Sequence, residues 1–349
     1  MIDIFSDPED WVLDPFMGGG TAIIEGLALA RFMVGVDLNA LGHFVAKVRT
    51  TPLSLYDEQL IRKWVSHASK HGGKSNFRSK RNGSVQNLPH ATQAFVGNAL
   101  THIHKMLPFP RQRAFARCVL LRLGQWALDC RDHVPLSQRT LSERLPDLTE
   151  QMLQGLREFV AVCREAGLRK NEVVNRRTLL CRNAAGLHEE RGLWSIAKPP
   201  RLVFTSPPYP CVHVLYHRWQ VKGRRETPAP YWITEVPDGY YASHYTGGSR
   251  TPTGEANYFA MIRSVFSSVK KVMARDGVVV QLIGFANQNT QLPRYLATME
   301  DAGFETRTPS NFYAHGLWRQ VPNRKWYAKV QGDVDASSEL LLFHRPRQS

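Results

Sequence analysis

No two cysteines in this sequence are spaced for a metal, and the five present (Cys118, Cys130, Cys163, Cys181 and Cys211) are scattered and odd in number. Neither a zinc site nor a disulfide framework follows from them, and they read as the reduced thiols of a cytoplasmic protein. No apolar run approaches the roughly 18 residues that a membrane-spanning helix needs. The amino terminus lacks the basic flank and apolar core of a secretory signal. Acid is also scarce: 30 Asp and Glu stand against 45 Lys and Arg, a net charge of +15. Such an imbalance points to a polyanionic partner, because phosphate neutralisation by Lys and Arg drives nucleic-acid association. An anionic membrane is the competing partner, but no basic amphipathic helix with exposed aromatics is present to favour it.

What remains is ordinary globular material, 43% hydrophobic with 8 Trp, 11 Tyr and 16 Phe. A chain of 349 residues can bury a substantial core as one large or two modest domains. Its organising stretch is Thr205-Ser206-Pro207-Pro208-Tyr209-Pro210. The apolar run Leu202-Val203-Phe204 reads as a buried strand feeding a stiff Pro-Pro turn, which holds φ near −65° and donates no backbone bonds. The Ser206 hydroxyl and the Pro207 carbonyl are acceptors for an exocyclic amino group, and the Tyr209 ring is a platform for a planar base. The bland alternative at this point is a stiff surface turn.

A second stretch lies far upstream. Trp11 to Asp14 reads as a strand, Gly18-Gly19-Gly20 as a turn without Cβ atoms, and Thr21 as the N-cap of a helix through Ile23, Ile24, Leu27 and Leu29. Phe32 to Val36 reads as a second strand ending on Asp37, whose carboxylate can accept bonds from ribose hydroxyls. A nicotinamide-binding unit would want a small residue where Ile23 stands, so an adenosine ligand without a pyrophosphate fits better.

Asp14-Pro15-Phe16-Met17-Gly18-Gly19-Gly20-Thr21 taken with Thr205-Ser206-Pro207-Pro208-Tyr209 resembles the signature pair of S-adenosylmethionine-dependent amino-methyltransferases acting on DNA. Ser before Pro-Pro-Tyr is most similar to the cytosine-N4 branch, whereas adenine-N6 enzymes more often carry Asp or Asn there. The resemblance covers roughly residues 10–50 and 178–349. It implies an α/β, Rossmann-like doubly wound methyltransferase sheet with an inserted mainly helical domain. The cofactor would be S-adenosylmethionine, held by Asp14, Phe16, Gly18, Gly20 and Asp37, with Asn183 in the place of the residue that contacts the adenine ring. Ser206, Pro207, Pro208 and Tyr209 would form the catalytic loop. The family usually carries a helical segment upstream that closes over the methionine end. Here only Ile2 to Phe5 could be its tail, so either the chain is part of a longer protein or another segment covers the cofactor.

The expected division is 1–52 as the first part of the methyltransferase domain, 53–176 as a basic loop and helical insertion, and 177–349 as the second part. Lys70 to Ser84 is rich in Lys and Arg and free of acid. Helices are expected over Arg113 to Cys130, Leu148 to Ala166, Asn257 to Met273 and Leu292 to Ala302, with Arg111, Arg113, Arg117 and Arg122 decorating the first. His102 and His104, at i and i+2, cannot face one ligand on a helix, and no metal is expected. Arg218, Trp219, Lys222, Arg224 and Arg225, with Arg324 and Lys325 in a second basic-aromatic loop, suit a nucleic-acid surface. Cys211 is read as packing, because no Pro-Cys opens the motif. The expected partner is DNA, in the cytoplasm and associated with the nucleoid. An adenine-N6 enzyme, an RNA amino-methyltransferase and a non-catalytic basic module with a decayed site stay open beside the cytosine-N4 reading.

Overall fold

The computed structural model describes residues 1–71, 85–128, 136–193, 197–211, 217–221, 225–238, 251–307, 317–320 and 338–348. The strands are β1 (Trp11–Asp14), β2 (Phe32–Asp37), β3 (Arg177–Cys181), β4 (Leu202–Thr205), β5 (Trp219–Val221), β6 (Arg225–Thr227), β7 (Val278–Ile283), β8 (Phe304–Thr306), β9 (Leu317–Gln320) and β10 (Ser338–Pro346). The helices are α1 (Ile2–Phe5), α2 (Thr21–Ala28), α3 (Ala40–Arg49), α4 (Leu55–His71), α5 (His90–Met106), α6 (Pro110–Leu128), α7 (Gln138–Glu165), α8 (Lys170–Asn175), α9 (Ala229–Thr234), α10 (Pro252–Val272) and α11 (Gln288–Asp301). Among the described residues no helix is long and apolar enough to cross a membrane.

Eight strands make one mixed sheet in the order β3-β2-β1-β4-β7-β10-β8, with β9 also pairing β10, while β5 and β6 form a separate hairpin. The five strands from β3 to β7 run parallel, and β10 lies antiparallel to β7, β8 and β9. Parallel strands are covered on both faces, which is why β1, β4 and β7 read as apolar runs rather than alternating ones. The two-residue period of a strand then splits each run between two cores. Val12, Met33, Leu202 and Val280 point into one, and Leu13, Val34, Val203 and Val279 into the other. The fold is therefore a doubly wound, Rossmann-like α/β sheet.

α2 to α9 share the first core, and α10 and α11 pack on the second. On α10 the residues Phe259, Ile262, Val265, Phe266, Val269 and Met273 are buried as their spacing predicts. Asp57 ties α4 to α6: its carboxylate accepts bonds from Arg111 Nε at 2.8 Å and Gln112 Nε2 at 2.7 Å. Burial alone would raise its pKa, but those bonds and two from Ser54 hold it down at about 2. Arg117 does not decorate the surface. It is buried, its Nη1 donates to the Ile233 carbonyl at 2.9 Å, and its Nη2 pairs with Glu235 at 2.6 Å.

Several boundaries differ from the sequence reading for identifiable reasons. α7 starts ten residues earlier than Leu148 (148 − 138 = 10), at a Ser137 cap whose Oγ accepts from Thr140 N at 3.0 Å. Pro146 inside it forfeits one backbone bond, but the helix continues because Leu141, Leu145, Leu148 and Leu153 remain one buried stripe. α11 likewise runs through Pro293 from an Asn287 cap. Thr21 is not an N-cap. Gly20 takes that position at φ 77, and Ala46 Cβ lies 2.7 Å from where a Gly20 side chain would begin.

Candidate active site

The reversal of strand order falls between β1 and β4, whose neighbouring connections leave in opposite directions. In open α/β sheets, ligands bind at the carboxyl ends of strands at such a point. Both sequence stretches that carry chemistry start there. Asp14 is the last residue of β1 and Thr205 the last of β4. The Thr205 hydroxyl donates to Asp14 Oδ1 at 2.6 Å, across 191 residues of sequence. Phe16 N donates to the same oxygen at 3.1 Å. Burial pushes the Asp14 carboxyl up to about 7; the bonds from Thr205 and Phe16 oppose the shift, and the nearby Asp37 charge adds to it.

Asp37 ends β2, one strand further along. Its Oδ2 accepts from Gly18 N at 2.8 Å and its Oδ1 from Asn39 N at 2.7 Å. These bonds bind the glycine turn to the end of β2. Burial pushes Asp37 up to about 6, against those two bonds. A carboxylate has about four lone-pair positions, so two remain for a ligand hydroxyl. Gly18 stands at φ 49, and a side chain added there would meet nothing within 4 Å. The backbone of the turn thus faces open space beside a carboxylate, a cradle that fits an adenosine-bearing cofactor such as S-adenosylmethionine.

Phe16 is half-buried, with its ring 6.4 Å from that of Phe266. Asn183 follows β3, whose Cys181 pairs with Asp37, and its exposed side chain accepts from Ala185 N at 2.9 Å. It caps a local turn at the same edge of the sheet.

Ser206 is exposed, Pro207 buried, and Pro208 and Tyr209 half-buried. The Tyr209 ring lies against Gly284, just past β7, where an added side chain would come within 2.9 Å of it. The Tyr209 hydroxyl donates to Glu339 Oε1 on β10. Thr205 and Glu339 were not singled out from the sequence. Thr205 opens the recognised motif without having been given a role, but Glu339 carries no local signal, since only the antiparallel pairing of β10 on β7 brings it to this edge. Cys211 is buried beside Gln291, 4.0 Å from its Nε2.

The predicted nucleic-acid surface divides. Arg218 pairs with Asp238 through two bonds of 2.9 and 3.0 Å, and Arg225 is exposed on β6. Trp219 is 1% exposed and packs on Gly124 of α6, so its ring offers no face to a base. Lys222, Arg224, Arg324 and Lys325, and nearly all of the basic loop from Lys70 to Ser84, lie outside the described residues. Among the described residues no three His, Cys, Asp or Glu are grouped to hold a metal ion.

Residues 1–42 match a family model described as DNA methylase. The type II methyltransferase M.MvaI of Kocuria varians is 48% identical over 40 residues, a stretch that spans 12% of this chain and 9% of that protein. The family match over residues 1–42 thus covers α1, β1, the glycine turn, α2 and β2. Among solved structures, an rRNA-methylase from Clostridium thermocellum has a TM-score of 0.34 at 10% identity, covering 99% of this chain and 92% of that one. The rRNA methyltransferase aviRa from Streptomyces viridochromogenes has a TM-score of 0.31 at 8% identity, with 98% and 80% covered.

Proposed function

We propose that this chain transfers a methyl group from S-adenosylmethionine to the exocyclic amino group of a DNA base flipped out of its stack, cytosine-N4 in preference to adenine-N6. The observation that carries the reading is the Thr205–Asp14 bond of 2.6 Å, which joins the root of the Ser-Pro-Pro-Tyr loop to the root of the glycine turn. The match of residues 1–42 to a DNA methylase model supports it independently. Bound there, S-adenosylmethionine supplies an electrophilic methyl group whose transfer to an amino nitrogen releases S-adenosylhomocysteine and a proton.

In this reading Asp37 accepts the ribose hydroxyls, and Asp14, Phe16, Gly18 and Gly20 shape the turn beneath the cofactor. Asn183 borders the adenine. The amine of a nucleobase is a weak nucleophile because its lone pair is delocalised into the ring. Ser206 Oγ and the Pro207 carbonyl would accept its two N–H bonds and favour a more tetrahedral nitrogen. The fixed φ of Pro207 and Pro208 holds both acceptors in place before the base arrives, which is a positional advantage. Tyr209 provides the stacking face, contributing about 1–3 kcal/mol. Arg218 and Arg225, with Lys222, Arg224, Arg324 and Lys325, would track the phosphates in a cytoplasmic protein working on nucleoid DNA.

The test is transfer of tritium from methyl-labelled S-adenosylmethionine to DNA and to RNA, followed by mass analysis of the nucleosides. N4-methylcytosine in DNA is expected. N6-methyladenine would change the target base, and label in RNA alone would change the substrate. No transfer and no calorimetric heat of cofactor binding would leave a basic binding module in place of an enzyme.

A further inference from the structure

Beside the glycine turn, α3, α6 and α7 line a half-open cavity of about 760 Å³ whose wall also includes Gly19 and Gly42. Ligand sites run from about 300 to 1,000 Å³, so this one has room for a small organic molecule. Its walls are apolar stripes at helical spacing, among them Val45 and Val48 on α3, Phe115 on α6, and Met152, Leu156 and Phe159 on α7.

The charge in it has one sign. Arg49 and Arg122 line the cavity and no Asp or Glu does. Neither arginine is ion-paired to an acid among the described residues. Arg49 Nη1 donates to the Gly19 carbonyl at 2.6 Å and Arg122 Nη1 to Gln125 Oε1 at 2.9 Å. Each guanidinium has five N–H donors, so most stay available. Cys118, also in the wall, has its thiol pushed by burial to about 12 and adds no negative charge.

Gly155, exposed on α7, leaves the mouth of the cavity open. It lies ten residues from the end of α7 (165 − 155 = 10), at the cavity's rim, and an added side chain would meet nothing within 4 Å. Glycine in a helix interior costs about 1 kcal/mol relative to alanine, and no neighbour here demands that cost.

We propose that the cavity binds an amphipathic carboxylate, its apolar tail between α3, α6 and α7 and its head group on Arg49 and Arg122. The assignment rests on this lining and not on the methyl-transfer reading, although the cavity adjoins the turn proposed to hold the cofactor. Gly19 itself lines the cavity and Arg49 holds its carbonyl, so an occupant would sit against the glycine turn.

The experiment is calorimetry on the full chain with sodium decanoate, decanol and decyltrimethylammonium, each kept below its micelle concentration. Decanoate should bind one to one, decanol at least about tenfold more weakly, and the cation not at all. Gly155→Leu should abolish the decanoate heat, and Gly155→Ala should preserve it. Should Gly155→Leu not fold, Arg122→Gln decides: it should weaken decanoate by about tenfold and leave decanol unchanged. Equal binding of all three probes, a native Gly155→Leu protein that binds like wild type, or an Arg122→Gln protein with unaltered decanoate affinity would each overturn the proposal.

Discussion

Acidification should weaken S-adenosylmethionine binding through Asp37, and Asp37→Asn should remove the part of the decline that lies below about pH 6. In the ligand-free protein burial raises this carboxyl from 3.8 to about 6, although Asn39 N and Gly18 N both donate to it. A ribose hydroxyl needs the ionised form as acceptor, so binding requires loss of the proton. Each pH unit below about 6 should then raise the dissociation constant about tenfold. Asp37→Asn gives up one charge-assisted hydrogen bond, about 1.5–3 kcal/mol, and binds roughly ten- to a hundredfold more weakly at neutral pH. Its profile below pH 6 should be flat, with only the Asp14 titration near 7 remaining. Stability runs the other way. A carboxyl raised from 3.8 to about 6 favours the folded state at low pH, and that contribution, about 3 kcal/mol, is lost as pH rises from about 4 through 6. Calorimetric titration from about pH 5 to 8, in buffers of differing ionisation enthalpy to count released protons, measures the affinity arm. Wild-type affinity that does not change over this range, or an Asp37→Asn protein with the same decline, would refute the reasoning.

Thr205→Val keeps the shape but leaves Asp14 Oδ1 without its 2.6 Å donor, and should lower stability by about 1–3 kcal/mol in a urea melt. Ser206→Ala, at an exposed loop position, should reduce turnover by about ten- to a hundredfold while cofactor affinity holds; equal loss of both would show that Ser206 does not act on the amine. Tyr209→Ala should raise the KM for DNA by removing about 1–3 kcal/mol of stacking. Tyr209→Phe should retain part of that activity, because it keeps the ring seated on Gly284 and loses only the donor to Glu339.

The sheet was legible because its parallel strands are buried on both faces, so β1, β2, β4 and β7 appear as apolar runs bounded by Gly, Pro or Asp. The starts of α7 and α11 were not, since α7 begins ten residues before Leu148, on the far side of Pro146, and α11 begins four residues before Leu292, each from a capping side chain. Trp219 shows a different limit. Beside Arg218 and Arg225 it has the composition of a base-stacking surface, yet its ring is seated on Gly124, a partner that only the folded chain brings near. Glu339 was hidden for the same reason: its contact with Tyr209 depends on β10 entering the sheet antiparallel, which no local pattern encodes.

The position of the site follows from where the chain spends its long connections. Residues 38–176 separate β2 from β3 and include α3 to α8, yet β3 returns beside β2 with Asp37 opposite Cys181. Among the described residues, α3 to α8 contribute to the core that already holds α2, together with Val12, Met33 and Leu202. The second core is formed instead by α10 and α11 with Leu13, Val34 and Val203. Asp14 and Thr205 can therefore be neighbours at 2.6 Å across 191 residues without any of the intervening helices bridging them. A lengthened or shortened helical connection would leave this juxtaposition unchanged, whereas a one-residue slip of β4 against β1 would turn Thr205 away from Asp14 and expose Val203 to the wrong core. Register between two short strands, more than the helices around them, is what keeps the two loops at one site.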